Sequence, residues 1–176
     1  MVDSGFRRPD RIRRITLFPA MPSTPDTLEV LKQFRIIFKS VKAHFQNVEA
    51  QCRLSGAQLW ALSVIVGQTG IKVSELAKEL SIHQSTASNL VERLVSQGLV
   101  EKERSREDQR VVRLTPTAAG IGLVRQAPGP AEGVLPDALG HLPKATLDQL
   151  QHNLSELIAL LQVKEASAEN TPLSDI

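Results

Sequence analysis

The sequence predicts a mainly α fold with a small β wing, flanked by long helices at both ends. Three observations predict it. Residues 74–80 and 85–97 carry apolar side chains at helical spacing and are separated by the polar turn Ser81-Ile82-His83-Gln84. Two strand-like runs, 99–104 and 111–115, follow at once and enclose the charged loop 105–110. Apolar residues also recur every three or four positions over 28–48 and 147–161, which makes two continuous helical stripes outside that central unit.

The elements follow in order. Residues 1–25 read as a flexible basic tail, with Arg7, Arg8, Arg11, Arg13 and Arg14 against Asp3 and Asp10, and with Pro9, Pro19, Pro22 and Pro25 opposing a continuous helix. Residues 26–53 form the N-terminal helix, capped by Asp26 or Thr27, with Leu28, Leu31, Phe34, Phe38, Val41, Phe45 and Val48 on one face. The central unit spans 54–116. Ser55 starts its first helix, Leu59, Leu62, Ile65 and Val66 point inward, and Gly67 or Gly70 ends it. Ile71-Lys72-Val73 makes a short strand beside the hairpin. Residues 117–163 hold the C-terminal helices: one entered through Pro116 and running to about Gln126, a break at Pro128-Gly129-Pro130, a short helix around Leu135, and a last helix from Lys144 with Leu147, Leu150, Leu154, Leu157, Ile158 and Leu161 on one face. Residues 164–176 read as a flexible polar tail.

A chain of 176 residues suits one domain with extensions, and 41% hydrophobic with 23% charged residues is ordinary for a globular protein. No apolar run approaches the roughly 18–20 residues of a membrane span, so no membrane partner is expected. The start lacks a signal-peptide pattern, and Asp3 and Asp10 argue against a transit peptide. The single cysteine, Cys52, excludes an internal disulfide and fits a reducing compartment, so the expected location is cytoplasmic. The net charge of +2 decides little about partners, because local clusters matter more than the total.

The chemistry sits at 73–115. On the second helix of the pair, Ala87, Leu90, Val91 and Leu94 face inward. The opposite face begins with Gln84, Ser85, Thr86, Ser88 and Asn89, short uncharged side chains that reach base edges without repelling phosphates. Asn89 suits an adenine edge, the Thr86 methyl a thymine methyl, and Arg93, one turn on, a phosphate. The first carboxylate of this helix is Glu92. Arg104, Arg106 and Arg110 arm the hairpin, and Asp108 pairs with Arg110 to hold its tip ready for a minor groove. A solvated helix face and a mixed-charge hairpin are the plain alternatives. Residues 72–115 hold eight Lys/Arg and seven Asp/Glu, so bulk charge does not choose between them.

The runs Leu54-Ser55-Gly56-Ala57-Gln58-Leu59, Val73-Ser74-Glu75-Leu76-Ala77 and 85–98, then Asp108-Gln109-Arg110, then Leu114-Thr115-Pro116 with Gly120, resemble the MarR family of bacterial winged helix-turn-helix transcription regulators. The resemblance runs in order over about 28–163 and is strongest in the middle. It implies a homodimeric repressor or activator on pseudo-palindromic double-stranded DNA, with repression and release by a small aromatic or lipophilic effector as the expectation. It matches Asp108 and Arg110 to the wing pair, and Ser85, Thr86, Ser88 and Asn89 to the base-facing start of the recognition helix. Pro128-Gly129-Pro130 departs from the pattern by interrupting a helix that is long in the family.

The terminal stripes are expected to pack with their copies in a second subunit, the alternative being a monomeric bundle. Other readings stay open at this level: a winged module that binds protein, a thiol sensor at Cys52, a minor-groove arm in the N-terminal arginines. His44 faces either an effector cavity or solvent, His83 suits a phosphate, and Trp60 is core or lines that cavity; the effector residues are unassigned. His44, His83, His141 and His152 lack metal-ligand spacing, and glycine-rich phosphate loops and nucleophile elbows are absent, so neither a metal, a cofactor nor an enzyme is expected.

Overall fold

The computed structural model describes residues 25–104, 112–161 and 165–175. In chain order it holds α1 (Pro25–Cys52), α2 (Gly56–Gly67), β1 (Ile71–Lys72), α3 (Val73–Glu79), α4 (Gln84–Ser96), β2 (Val100–Arg104), β3 (Val112–Pro116), α5 (Ala118–Gln126), α6 (Val134–Gly140) and α7 (Lys144–Leu160). Two 3-10 turns, Ala166–Asn170 and Leu173–Asp175, follow. The chain divides into two units, one up to Arg35 and one from Ile36 onward. The described part of the first is the start of α1, an exposed helix on which Glu29 and Lys32 pair at 3.0 Å.

In the second unit the three strands form an antiparallel sheet in the order β1-β3-β2. Ile71 pairs with Leu114, and Lys102 with the same Leu114 from the other side, so β3 is the central strand. α2 is apolar almost all round, as a helix buried on every side must be. Leu59, Leu62 and Ile65 of α2, Leu76 of α3, Val91 and Leu94 of α4, and Leu114 of β3 are all fully buried. Each such side chain contributes about 1.5–3 kcal/mol relative to exposure.

Local chemistry sets the boundaries. Ser55 caps α2 in a reciprocal box: its Oγ accepts the Gln58 N–H at 3.3 Å, and Gln58 Oε1 accepts the Ser55 N–H at 3.0 Å. Gly98, at φ +70, turns the chain from α4 into β2. At the far end of the hairpin, Thr117 Oγ1 donates to the Gly98 carbonyl at 2.8 Å and accepts the Gly120 N–H at 3.1 Å. Gly120 is obligatory there, because a Cβ would collide with the Leu99 carbonyl oxygen. One threonine and one glycine thus tie α5 to the base of the wing.

Three differences from the sequence reading have physical causes. Pro116 does not enter the helix; it closes β3 opposite Val100, a strand-end position, and Thr117 is the N-cap. Asp26 lies in the first turn of α1 rather than at its cap. The polar C-terminus is ordered into turns over 165–175: Pro172 is buried and Ser174 Oγ accepts the Ala57 N–H at 3.0 Å. Sequence spacing could not show that bond, because its partners are 117 positions apart. The basic tail, residues 1–24, lies outside the described residues.

Candidate nucleic-acid interface

α3 and α4 are joined by a turn that the backbone closes unaided. Ser81, at φ +54, lets its own N–H reach the Lys78 carbonyl and the Ile82 N–H reach the Ala77 carbonyl, each at 3.0 Å. α4 then buries Ala87, Leu90, Val91 and Leu94, which anchors it on α2 and α3. The opposite face is fixed by that anchoring. Gln84, Ser85, Asn89 and Arg93 are exposed, and Thr86 and Ser88 are half-buried.

Five of the residues singled out on α4 therefore divide from the sixth. Gln84, Ser85, Thr86, Asn89 and Arg93 sit on or at the edge of an accessible polar surface. Ser88 Oγ instead donates to the Gln84 carbonyl at 2.9 Å, one turn back in its own helix, which leaves it only lone pairs to offer outward. His83 is the N-cap and its side chain caps nothing, so the first amides of α4 meet no local side chain.

Glu92 is the carboxylate that would repel a phosphate on this face. Lys102 of β2 pairs with it, which draws the negative charge toward the sheet. On β3, Arg113 Nη1 donates to the Gly70 carbonyl at 3.2 Å and ties the central strand to the turn before β1. Arg104 ends β2, and its side chain lies outside the description; Arg106, Asp108 and Arg110 lie outside the described residues altogether.

Residues 54–111 match the model of the MarR family. A curated relative, the HTH-type transcriptional regulator TtmR of Methylorubrum extorquens (strain PA1), is 28% identical over 129 residues, 73% of this chain. The chain spans 64% of the length of that relative. Among solved structures, the S. aureus MepR–DNA complex is 24% identical, with 76% of this chain and 98% of that one covered and a TM-score of 0.53. A MepR-like protein complexed with pseudoligands is 20% identical over 76% of this chain and 94% of its own, also at a TM-score of 0.53. YusO from Bacillus subtilis is 20% identical, covers 78% of this chain and 99% of its own, and gives a TM-score of 0.51. At these identities the likeness establishes the fold.

Two contacts of the matched segment were not anticipated. The Glu92–Lys102 pair joins α4 to the wing, and Gln58 Nε2 donates to Gln97 Oε1 at 3.5 Å, joining the start of α2 to the end of α4. Gln58 is a buried polar residue, and a glutamine among apolar residues was the signal that could have found it. Cys52 is buried, and burial raises its thiol above the ordinary value of 9.0. A reactive thiol needs the opposite shift, so the structure opposes the sensor reading. Among the described residues no three His, Cys, Asp or Glu side chains gather to hold a metal, and no helix is long and apolar enough to cross a membrane.

Proposed function

We propose that the chain is a DNA-binding transcription regulator that works as a homodimer. The carrying observation is the outer face of α4: Ser85, Asn89 and Gln84 exposed at the helix start, Arg93 a turn further on, and the Glu92 carboxylate drawn aside by Lys102. Short polar side chains at the start of a helix held rigidly by its buried face suit base edges in the major groove. The similarity in fold to a MepR–DNA complex supports the reading by analogy. Arg104, Arg106 and Arg110 are assigned to phosphates and the minor groove beside it, with Asp108 holding Arg110.

A second copy accounts for the apolar surface that stands exposed among the described residues. On α1, Leu28, Ile36 and Phe38 are 47%, 66% and 68% exposed; on α7, Leu157, Ile158 and Leu160 are 42%, 53% and 80% exposed. A two-fold dimer through these helices presents two recognition helices to a pseudo-palindromic operator. Repression, with release by a small aromatic or lipophilic effector, completes the reading; such an effector acts only by favouring a dimer whose helix separation does not match DNA.

The test is selection of bound sequences from random DNA with the intact chain, then with Asn89→Ala and Arg110→Ala. The expected result is a symmetric site, altered in one base position per half by Asn89→Ala and weakened evenly, with a flatter salt dependence, by Arg110→Ala. No enriched sequence at low salt overturns the proposal.

A further inference from the structure

Two periodicities set the charges between α4 and the hairpin. On α4, Glu92 stands seven positions on from Ser85 and three on from Asn89, so its carboxylate shares the outer stripe with those exposed polar residues. On β2, Val100 is buried and successive side chains alternate, so Lys102 lies on the face turned to α4 and Glu101 and Glu103 lie on the other. Lys102 and Glu92 meet across the gap as an ion pair, with the lysine side chain 32% exposed and the glutamate 66%.

A helix in the major groove and a hairpin in the adjoining minor groove straddle one phosphate strand. Lys102 springs from the side of the hairpin that faces this gap, and its flexible four-carbon stem can turn from a carboxylate to a phosphate. The neighbouring cations are placed differently. Arg113 donates to the Gly70 carbonyl, and Lys72 pairs with Glu75 at 3.9 Å. Arg93, next to Glu92 on the same helix, enters no ion pair among the described residues. One cation of the reading surface is thus open, and another is held.

We propose that Glu92 is a positioning residue that withholds Lys102 from the phosphates and so keeps sequence-independent DNA affinity low. The proposal rests on the DNA-binding reading above. Sequence-independent affinity follows the number of phosphates that cations neutralise, each adding about 0.9 to the salt slope. Lys102 joins that number only by leaving Glu92, and the freed carboxylate then faces the same strand. The exchange loses one attraction and adds one repulsion for the contact it makes, so it gains little. Ser85 and Asn89 need no cation to meet base edges, so the restraint falls on the part of binding that carries no sequence information.

Two measurements on the full chain test it. The first needs no DNA. Acetylation of lysines, mapped by mass spectrometry with Lys78 as internal reference, is expected to reach Lys102 about two- to fivefold faster in Glu92→Gln than in wild type, the span of an exposed ion pair. The second is binding to a random-sequence duplex of about 24 base pairs between about 50 and 200 mM salt. Glu92→Gln is expected to steepen the salt slope by about 0.9, so that the affinity lost over this range grows about 3.5-fold. Lys102→Gln is expected to keep the wild-type slope, and on the Glu92→Gln background to restore it. Glu103→Gln removes the same charge from the other face of β2 and is expected to leave the slope as it is. Equal labelling of Lys102 in wild type and Glu92→Gln means that the pair does not form in solution and overturns the proposal. A slope unmoved by Glu92→Gln overturns it, and so does one steepened equally by Glu103→Gln, which reduces the effect to net charge. A flatter slope for Lys102→Gln alone overturns it as well, because Lys102 then already holds a phosphate. If no variant binds the duplex, the regulator reading falls and this proposal with it, while faster labelling of Lys102 still records the pair.

Discussion

In the winged body Leu59, Leu62, Ile65, Leu76 and Leu94 lose all contact with solvent, whereas on α7 Leu157, Ile158 and Leu160 keep 42%, 53% and 80% of theirs. Both sets lie on helices, and both repeat at helical spacing. The winged body closes its own core because α2, α3, α4 and the sheet surround one another within a single chain. No residue of α7 is buried, so its stripe finds no full cover among the described residues. An amphipathic pattern therefore states that a face wants cover, and does not state whose.

That contrast can be broken most directly in the core. Leu62→Ala is expected to lose about 2–5 kcal/mol in urea unfolding, from lost transfer free energy plus the cavity left behind. Ile158→Ala, followed at concentrations where the chain is monomeric, is expected to change stability by less than about 0.5 kcal/mol. Equal costs would show that α7 is part of the same core. Next in size, Ile158→Asp is expected to weaken self-association by about tenfold to a hundredfold in light scattering, the worth of one covered aliphatic side chain. A wild-type chain that is already monomeric at micromolar concentration would remove the distinction.

Smaller effects sharpen the boundary at α2. Ser55→Ala is expected to cost about 1 kcal/mol, since it uncaps the Gln58 N–H of the helix on which α3, α4, α5 and β3 pack. The smallest effect concerns Cys52. Its pKa is raised by burial above 9.0, so above that pH the unfolded chain gives up the thiol proton first and the folded chain holds more protons. Stability from this group is then complete below 9.0 and falls as pH rises beyond it. Urea unfolding from pH 8 to 10.5 is expected to show a steeper alkaline loss for wild type than for Cys52→Ala. Identical slopes would mean the thiol is not buried in solution.

Much of the fold was legible because it is written in short-range periodicity. The inward set Ala87, Leu90, Val91 and Leu94 is the set that α4 buries, and the outward set follows from the geometry of a helix once the inward one is known. Pro116 misled because proline suits both the first turn of a helix and the end of a strand, and only the pairing with Val100 chooses between them. Ser88 misled because composition places a hydroxyl on a face but does not say that its proton is already committed to the Gln84 carbonyl.

What the chain determined by itself is the set of local decisions: where helices begin and end, that Ser81 turns and Ser55 caps, and which face of α4 is polar. Those depend on neighbours three or four positions away. The tertiary structure alone decided that Glu92 turns to Lys102, that Gln58 meets Gln97, and that Ser174 closes the first turn of α2. Such contacts join residues that are 10, 39 and 117 positions apart, and nothing periodic encodes a meeting that exists only after loops have closed and cores have packed.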